Sequence, residues 1–430
     1  MFERLPSNWM LVIKSIGYWF WLIPVLGIPL SYYWSLNSQY ANAWPWLVVL
    51  VVFGVIPLLD FIIGRDPANP DEAVQVPQME QQGYYRLLSL ITVPALLGML
   101  GWAGWVFVNH EAWSWVGQLG WVLSVGTVTG AIGITVAHEF IHKDPQLEQN
   151  AGGLLLAAVC YGGFKIEHVR GHHVHVSTPE DASSSRYGQS LYAFLPHAYV
   201  HNFLNAWKLE AERLKRKSLP ALHWRNELIG WYAISALFLL GFSLAFGWLG
   251  ALFFIAQSVV AFTLLEIVNY VEHYGLHRRK LDNGRYERTN PTHSWNSNFL
   301  LTNLFLFHLQ RHSDHHAYAK RRYQVLRHHE SSPQLPNGYA GMIVLALFPP
   351  LWRVVMDPRV RAYYAGEEHQ LGAGEVDGIQ DLEVARAVIG ELAWVTTEQE
   401  VVYFVGDRFR IDRLGGICFR TRVSRGDQRA

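Results

Sequence analysis

Cysteine and charged side chains are both scarce in this sequence of 430 residues. The two cysteines, Cys160 and Cys418, are too few for a disulfide framework and too few for an iron site built from four thiolates. Charged residues make up only 16% of the chain and balance to a formal net charge of zero, so the composition gives no support to nucleic-acid binding. No flavin-binding fingerprint is visible either.

Apolar residues are abundant instead, at 50% of the chain with 18 Trp, which is too apolar for an ordinary soluble enzyme. Runs of about 20 apolar residues are long enough to cross a bilayer as helices. Six such runs predict six membrane spans, at about 16–35, 44–64, 86–108, 115–137, 228–246 and 249–271. The first run lacks a convincing cleavage site, so it is predicted to be a retained span and not a signal peptide.

The basic residues lie on one side of the membrane that these spans would cross. All 35 Lys and Arg residues fall on one side, while the opposite loops at 36–43, 109–114 and 247–248 contain none. Basic residues accumulate in cytoplasmic loops. Both termini are therefore predicted to be cytoplasmic.

The predicted fold is all-α: a bundle of six transmembrane helices with a helical, histidine-rich cytoplasmic cap. Five segments follow from it: 1–137 with helices one to four, 138–227 as a cytoplasmic insertion, 228–271 with helices five and six, 272–365 as a cytoplasmic cap, and 366–430 as a soluble tail. Within the tail, residues 401–414 show the alternation of side chains that is typical of β-strands, on both sides of a Gly-Asp pair. This pattern predicts a small hairpin, or else a tail without chemistry.

Histidines are grouped at spacings that place their side chains on one face of a helix. Nine of the twenty histidines are candidate metal ligands on the same side of the membrane: His138, His142, His168, His172, His173, His273, His312, His315 and His316. All of them are in such groups except His273, which follows Glu272. Nine imidazoles are too many for one metal but suit two metals with four or five nitrogens each. Imidazole binds iron, copper, nickel and zinc, so the ligand type alone does not identify the metal.

Two other functions use part of this pattern. Residues 138–142 read H-E-F-I-H, which matches the zinc-protease motif, but a zinc hydrolase needs only about three ligands and leaves the other histidines unexplained. A metal transporter would place ligands within the spans along a path. These histidines lie instead at or beyond the ends of the predicted spans.

Acidic residues adjoin the candidate ligands. Metal-bound imidazoles usually donate their second N–H to a carboxylate or carbonyl, which favours a supporting role for these acids. A neighbour in sequence points about 100° away on a helix, however, so pairing with a nearby basic residue is equally expected. The four acids are Glu139, Glu167, Glu272 and Asp314.

A polar stripe precedes His273 in the sixth predicted span. Glu266, Asn269 and Tyr270 share a helical face that leads toward the proposed metals. Together with Phe262, one turn earlier, they are the predicted lining of a substrate channel. Packing hydrogen bonds between helices are the alternative role.

Basic clusters on the cytoplasmic segments are candidates for docking an acidic electron carrier. They lie at 213–217 and at two sets of three residues: Arg278, Arg279 and Lys280, and Lys320, Arg321 and Arg322. Anchoring at anionic lipid head groups is the alternative.

Four histidine-containing motifs resemble those of a known family, and the resemblance extends over about residues 18–360. They are H-E-F-I-H at 138–142, E-H-V-R-G-H-H at 167–173, N-Y-V-E-H-Y-G-L at 269–276 and L-Q-R-H-S-D-H-H at 309–316. The set is similar to that of integral-membrane alkane 1-monooxygenases of the alkane hydroxylase (AlkB) type, within the membrane fatty-acid desaturase and hydroxylase superfamily. The third motif distinguishes alkane and xylene hydroxylases from desaturases and sterol hydroxylases.

The resemblance implies two non-haem irons held by the nine histidines, with O2 as co-substrate. It further implies that one oxygen atom enters the terminal C–H of a medium-chain alkane to give a primary alcohol. Electrons would come from NADH through a rubredoxin reductase and rubredoxin, and the location would be a bacterial inner membrane. Xylene-type methyl hydroxylation and fatty-acyl desaturation remain the nearest alternatives.

Overall fold

A computed structural model describes residues 7–364 and the backbone of three short strands at 394–396, 400–405 and 408–413. The chain divides into two compact units. The first contains residues 1–186 and 190–344, and the second contains residues 187–189 and 345–430. The five-segment division predicted from the sequence stays a prediction.

The first unit is helical and carries the membrane-spanning part of the protein. Among the residues that the structure describes, five helical stretches are long and apolar enough to cross a bilayer: Trp9–Leu36, Trp44–Ile63, Gly83–Asn109, Trp115–Ile141 and Glu227–His273. The predicted helical membrane bundle with a histidine-rich site is thereby confirmed. The protein is an integral membrane protein.

The last of these stretches has 47 residues and contains a break at Gly247, where φ is +66° and ψ is −162°. The ring centroids of Phe238 and Phe254 lie only 6.1 Å apart, and those of Phe242 and Phe254 only 5.1 Å apart. In a straight helix, sixteen residues would separate Phe238 from Phe254 by about 24 Å. The chain therefore turns back at Gly247, within the predicted 247–248 loop. This supports separate fifth and sixth spans, while the count of six stays a prediction.

The helices of the membrane part contain short 3₁₀ and π segments. In chain order the α-helices are α1 Ser7–Gly17, α2 Leu22–Leu36, α3 Leu47–Leu50, α4 Ile56–Ile63, α5 Gln75–Gln81, α6 Gly83–Asn109, α7 Trp115–Val128 and α8 Thr135–Ile141. The 3₁₀ segments are Tyr18–Trp21 and Trp44–Trp46, and the π segments are Val51–Val55 and Thr129–Ile134. Packing between spans is close where side chains are small. A Cβ at Gly126 would lie 2.9 Å from the carbonyl oxygen of Gln257.

Shorter helices form the cap that adjoins the spans. They are α9 Gln146–Ala157, α10 Phe164–Glu167, α11 His173–His175, α12 Leu191–Lys215, α14 Leu300–Phe305, α15 His312–Ala317 and α16 Tyr339–Ala346. The remaining helix, α13, is the long spanning stretch Glu227–His273. A π segment, His168–His172, and the 3₁₀ turns Pro291–His293 and Tyr323–Val325 complete this region. Ser190 begins α12 by accepting a hydrogen bond from the backbone of Ala193, as expected for an N-cap serine.

The second unit contains helix α17, Pro349–Tyr363, and a small antiparallel sheet. Strands β1 Trp394–Thr396, β2 Glu400–Val405 and β3 Arg408–Arg413 pair in the order β1-β2-β3. Val405 pairs with Arg408 at the end of the ladder. The hairpin predicted at 401–414 is therefore confirmed in β2 and β3.

Candidate metal centre

The nine histidines singled out in the sequence converge into two neighbouring groups. Within each group, one nitrogen from every imidazole lies within 4.8 Å of the others. The first group is His138, His142, His168, His173 and His315, and the second is His172, His273, His312 and His316. The division into five and four nitrogens fits two metals.

In the first group, His173 is central. Its Nε2 lies 3.1 Å from the Nε2 of His168 and 3.1 Å from the Nε2 of His315. The ring of His142 is 4.5 Å from the ring of His173, and the ring of His138 is 4.3 Å from that of His315. His138 lies in helix α8 and His142 is its C-cap residue, one turn later, as their spacing of four residues predicts.

The second group lies directly beside the first. The Nε2 of His316 is 2.9 Å from that of His312 and 3.3 Å from that of His172. The His316 ring centroid also lies 4.5 Å from that of His173 in the first group. The two groups are therefore adjacent parts of one centre.

The donor set fits bound metal ions. Among the described residues, several buried imidazole nitrogens have no hydrogen-bond partner, including the Nε2 of His138, the Nε2 of His142 and both ring nitrogens of His273. A buried polar atom without a partner is costly and needs an explanation, and an ion is one such explanation. Two groups of converging imidazole nitrogens are ligands that suit iron, copper, nickel or zinc.

Electrostatics favours the form of histidine that binds metal. Burial, reinforced by the neighbouring imidazoles, holds the pKa well below its usual range for His142, His168, His173, His312, His315 and His316. These rings are neutral at pH 7. Neutral imidazole has the free lone pair that a metal ligand needs.

His172 is held by a carboxylate that the sequence analysis did not identify. The Nδ1–H of His172 donates to Oδ2 of Asp181 across 2.9 Å, and both side chains are buried. Asp181 also accepts from the hydroxyl of Ser184 at 2.6 Å. Burial alone would lower the pKa of His172, but Asp181 outweighs it and raises that pKa. The contact leaves Nε2 of His172 directed toward the second group.

Three of the four acids predicted to support the ligands have other contacts. Glu139 pairs with Lys143 at 3.2 Å, and Asp314 accepts from His329 at 2.8 Å and pairs with Arg321 at 3.3 Å. Glu167 accepts from Asn205 at 3.2 Å. For Glu139 and Asp314 the structure favours the alternative that they pair with nearby basic side chains.

Glu272, the fourth acid, lies at the centre itself. Its Oε2 is 3.1 Å from the Nε2 of His312, the nitrogen that converges with the other imidazoles of the second group. Its Oε1 is buried without a hydrogen-bond partner among the described residues. The carboxylate therefore adjoins the ligand face of His312, and not its Nδ1.

An apolar cavity extends from the centre into the membrane-spanning helices. The space between its wall atoms, together with the open solvent at its mouth, amounts to about 910 Å³. His138, His168, His312 and Glu272 line one part of it. Most of the remaining wall is aliphatic or aromatic: Pro24, Val52, Phe53, Ile56, Val128, Ala131, Ile132, Ile134, Phe164, Leu264, Leu265, Val268, Phe305, Leu306, Leu309, Ala340 and Ile343.

Of the four predicted channel residues, Asn269 lines the cavity. Glu266 is buried and accepts from Tyr161, from Asn202 at 3.2 Å and from Asn269 at 3.1 Å. Phe262 stacks on Tyr161 with centroids 5.2 Å apart. Tyr270 packs against Phe194 at 5.5 Å. These three side chains therefore make packing contacts, with α12 and with Tyr161 in the segment between α9 and α10.

Irregular helical geometry coincides with the site. The three π segments of the described chain are Val51–Val55, Thr129–Ile134 and His168–His172. The first two contribute cavity wall, including Val52 and Ala131, and the third carries two ligand candidates. Such π segments occur frequently at functional sites because they redirect side chains.

The basic residues proposed for docking differ in their availability. Arg321 and Arg322 pair with Glu72 and Glu148, at 3.2 and 3.3 Å. Lys320, although exposed, pairs with Asp144 at 2.8 Å. Arg278 donates to the backbone carbonyls of Glu287 and Val174, while Arg279 and Lys280 are exposed.

Comparison with known proteins agrees with this architecture. The profile of the fatty acid desaturase family matches residues 113–346, more than half of the chain. An alkane 1-monooxygenase of Pseudomonas aeruginosa is 84% identical over 371 residues, which cover 86% of this chain and 98% of that relative. An alkane 1-monooxygenase of Alcanivorax borkumensis is 58% identical, covering 86% of this chain and 97% of the relative. The hydroxylase component of a xylene/toluene monooxygenase of Pseudomonas putida is 28% identical over 76% of this chain and 85% of the relative.

The matches to the alkane 1-monooxygenases extend over nearly the whole of those proteins. They also agree with the centre described above, in which all nine histidines of the four motifs meet beside an apolar cavity. The chain belongs to the alkane 1-monooxygenase family, within the fatty acid desaturase superfamily of membrane proteins.

Proposed function

We propose that this protein is an alkane 1-monooxygenase that inserts one atom of O2 into the terminal C–H of medium-chain n-alkanes, giving primary alcohols. The observation that carries the proposal is the meeting of the apolar cavity with His138, His168 and His312. Relatives at 84% and 58% identity bear the name of this activity. The cofactor proposed is a pair of non-haem irons, with His138, His142, His168, His173 and His315 around one and His172, His273, His312 and His316 around the other.

The cavity suits a substrate without polar groups. An alkane offers no hydrogen-bonding handle, so it must be selected by shape and length, at about 0.8 kcal/mol per buried CH₂. Walls such as Val52, Ile132 and Leu265 supply apolar surface and exclude water from the reacting end. A terminal methyl group in this cavity would be held against the histidine face. This placement favours oxidation at carbon 1.

The side chains around the centre fix the ligands before substrate enters. Asp181 holds the orientation of His172, and α8 holds His138 and His142 on one face. When bound, the two irons would supply the activation of O2 that amino acid side chains cannot provide. Electrons are proposed to come from rubredoxin and, through it, from NADH by way of rubredoxin reductase.

The proposed location is a bacterial inner membrane, with both termini and the metal centre on the cytoplasmic side. The support is the charge distribution, because the loops at 36–43, 109–114 and 247–248 contain no Lys or Arg. A cytoplasmic centre would be accessible to a soluble carrier.

Conversion of octane under ¹⁸O2, with rubredoxin, its reductase and NADH added to the purified protein, tests the proposal. We expect 1-octanol with one ¹⁸O atom. His168→Ala should abolish the product, while His201→Ala, a matched change at an exposed imidazole on α12, should not. Labelled methylbenzyl alcohol from xylene without 1-octanol would reassign the protein as a methyl hydroxylase. An unlabelled alkene from a fatty-acyl substrate, again without 1-octanol, would reassign it as a desaturase.

A further inference from the structure

We propose that a chain of aromatic side chains carries oxidising equivalents away from the metal centre when O2 is reduced without alkane, and so protects the ligands from oxidation. Its members are Tyr18, Tyr323, Tyr85, Tyr84 and Trp19, together with His308. We call these residues the aromatic chain. The inference rests on the proposed function, because it presupposes that O2 reacts at the metal centre.

The aromatic chain begins directly behind the wall of the apolar cavity. Leu306 and Leu309 line the cavity. Between them, Phe307 and His308 lie against Tyr18, with ring centroids 6.3 and 5.3 Å from that of the tyrosine. A single stretch of backbone therefore separates Tyr18 from the space that the metal centre adjoins.

The backbone of this stretch is strained. Phe307 and His308 have φ of +48° and +56°, in the left-handed region that residues other than glycine seldom adopt. Two such residues in succession persist only where the surrounding structure holds them, and strain of this kind concentrates at functional sites. The strained conformation accompanies the contact of both rings with Tyr18.

Tyr323 brings the aromatic chain near the centre at a second point. Its backbone N–H donates to the carboxylate of Glu139 at 3.3 Å, and Glu139 adjoins the ligand candidate His138 in α8. The ring of Tyr323 lies 5.0 Å from that of Tyr18. The inner end of the aromatic chain is thus connected to two elements that carry or flank ligand candidates.

Tyr18 has a proton acceptor within reach. Its hydroxyl lies 3.3 Å from Nδ1 and 3.4 Å from Nε2 of His308, and both side chains are buried. Burial, reinforced by the charges of Arg311 and Lys14, holds the pKa of His308 well below its usual range, so the ring is neutral and one nitrogen is free to accept a proton. Because an oxidised tyrosine is a far stronger acid than imidazolium, its proton would still pass to this ring.

From Tyr18 the aromatic contacts continue to the surface. The ring of Tyr85 lies 6.1 Å from that of Tyr18 and 5.2 Å from that of Tyr84, centroid to centroid. The indole N–H of Trp19 donates to the hydroxyl of Tyr84 at 2.9 Å. Tyr84 and Trp19 are 39% and 37% exposed, whereas the tyrosines before them are buried. Electron transfer slows steeply with distance, so short steps between rings give the buried end an outlet to the surface.

The proposed transfer moves one electron at a time. The oxidised metal centre gains an electron from Tyr18, whose hydroxyl proton passes to His308. Tyr84 then replaces that electron through Tyr85 and releases its own proton to water, while Tyr18 recovers its proton from His308. A soluble thiol restores Tyr84 by giving up a hydrogen atom, and two thiols oxidised in this way join as one disulfide.

Membrane anchoring and core packing are the competing explanations for these side chains. Tyrosine and tryptophan are enriched at membrane–water boundaries, which would account for Trp19 and Tyr84. Anchoring gives no role to the buried Tyr18 beside His308. Phenylalanine would fill that space without the cost of burying a hydroxyl. The hydroxyl, its proton acceptor and the succession of ring contacts together favour electron transfer.

Freeze-quench EPR of the iron-loaded full-length protein in nanodiscs tests the inference. The protein is reduced, freed of reductant and mixed with O2 in the absence of alkane. We expect a tyrosyl radical in the wild type and its loss in Tyr18→Phe. The matched control is Tyr33→Phe, at a tyrosine of α2 that is 59% exposed, and it should retain the signal. Difluorotyrosine incorporated at position 18 preserves the shape of the side chain and should broaden the signal through fluorine hyperfine coupling.

The survival of activity provides a second readout. Tyr18→Phe should oxidise octane at the wild-type initial rate but lose iron and activity faster than the wild type or Tyr33→Phe during turnover with NADH and O2 without alkane. His308→Asn, which retains a residue that tolerates positive φ, should show the same loss. Wild-type protein that yields 1-octanol but no tyrosyl radical, or an unchanged radical and unchanged inactivation in Tyr18→Phe, would overturn the aromatic chain. A radical in wild-type protein that yields no 1-octanol would overturn the proposed function instead.

Discussion

Asp181 accepts a hydrogen bond from the Nδ1–H of His172 across 2.9 Å, and both side chains are buried. This contact fixes the tautomer of the imidazole, so that Nε2 is the nitrogen available to a metal. Ser184 in turn donates to Asp181 at 2.6 Å. His172 is therefore oriented by a loop that contains no ligand candidate.

Removing the charge of Asp181 should weaken metal binding. We expect Asp181→Asn to lower iron affinity about 10- to 100-fold, as is usual when the partner of a metal-bound imidazole is changed. Iron titration of metal-free protein, followed by metal analysis, measures the effect. The control is Asp144→Asn, at an exposed carboxylate paired with Lys320, and it should bind iron like the wild type. Equal affinity in both variants would show that Asp181 does not orient a ligand.

The two histidine groups should lose their metals separately. His142→Ala removes a nitrogen from the group of five, and His273→Ala removes one from the group of four. We expect each variant to retain about one tightly bound iron in the group that is not altered, since each group has its own set of nitrogens. Metal analysis and Mössbauer spectroscopy would separate the two populations. Retention of both irons in His273→Ala would contradict its assignment as a ligand.

Filling the cavity should shorten the preferred substrate. Ala340 is buried and lines the cavity wall, so Ala340→Phe adds a ring to the space that holds the chain. We expect the ratio of kcat/KM for dodecane to that for octane to fall about tenfold, since a hydrophobic pocket discriminates by about 1–3 kcal/mol per mismatched group. Gas chromatography of products from mixed alkanes provides the measurement. Ala193→Phe, at an exposed position of α12, is the size-matched control.

Asp60 should stabilise the contact between α4 and α14. It is buried and accepts hydrogen bonds from both the hydroxyl and the backbone N–H of Thr302, the latter at 3.0 Å. Asp60→Ala leaves these donors without a partner, at a cost of about 1–3 kcal/mol for each. The apparent Tm of detergent-solubilised protein should fall, while Asp282→Ala, at an exposed position, should not change it.

A double variant makes this stability prediction sharper. Asp60→Ala combined with Thr302→Val removes the hydroxyl together with its acceptor. We expect the pair to cost less than the sum of the two single changes. Strict additivity would show that the two side chains do not interact in the folded protein.

Local patterns allowed the convergence of the histidines to be predicted, because spacing on a helix determines which side chains share a face. His138 and His142 meet in the structure for that reason, and the turn at Gly247 follows from the short gap between two apolar runs. The supporting acid could not be found in this way. Asp181 lies nine residues after His172, in a loop whose course depends on tertiary packing.

The cavity wall also depends on tertiary packing. Of the polar stripe before His273, Asn269 lines the cavity, whereas Glu266 accepts a hydrogen bond from Asn202 on α12 and Tyr270 packs against Phe194 of the same helix. The actual wall combines side chains from several separate helices, such as Val52, Ile132 and Ile343. Apolar residues surround every span, so composition alone does not show which of them face inward.

The central claim is that nine histidines form one dinuclear iron centre. Metal analysis of the purified wild-type protein, normalised to chain concentration, tests it most directly. The account predicts about two irons per chain, because the imidazoles divide into groups of five and four. One zinc per chain with no iron would contradict it.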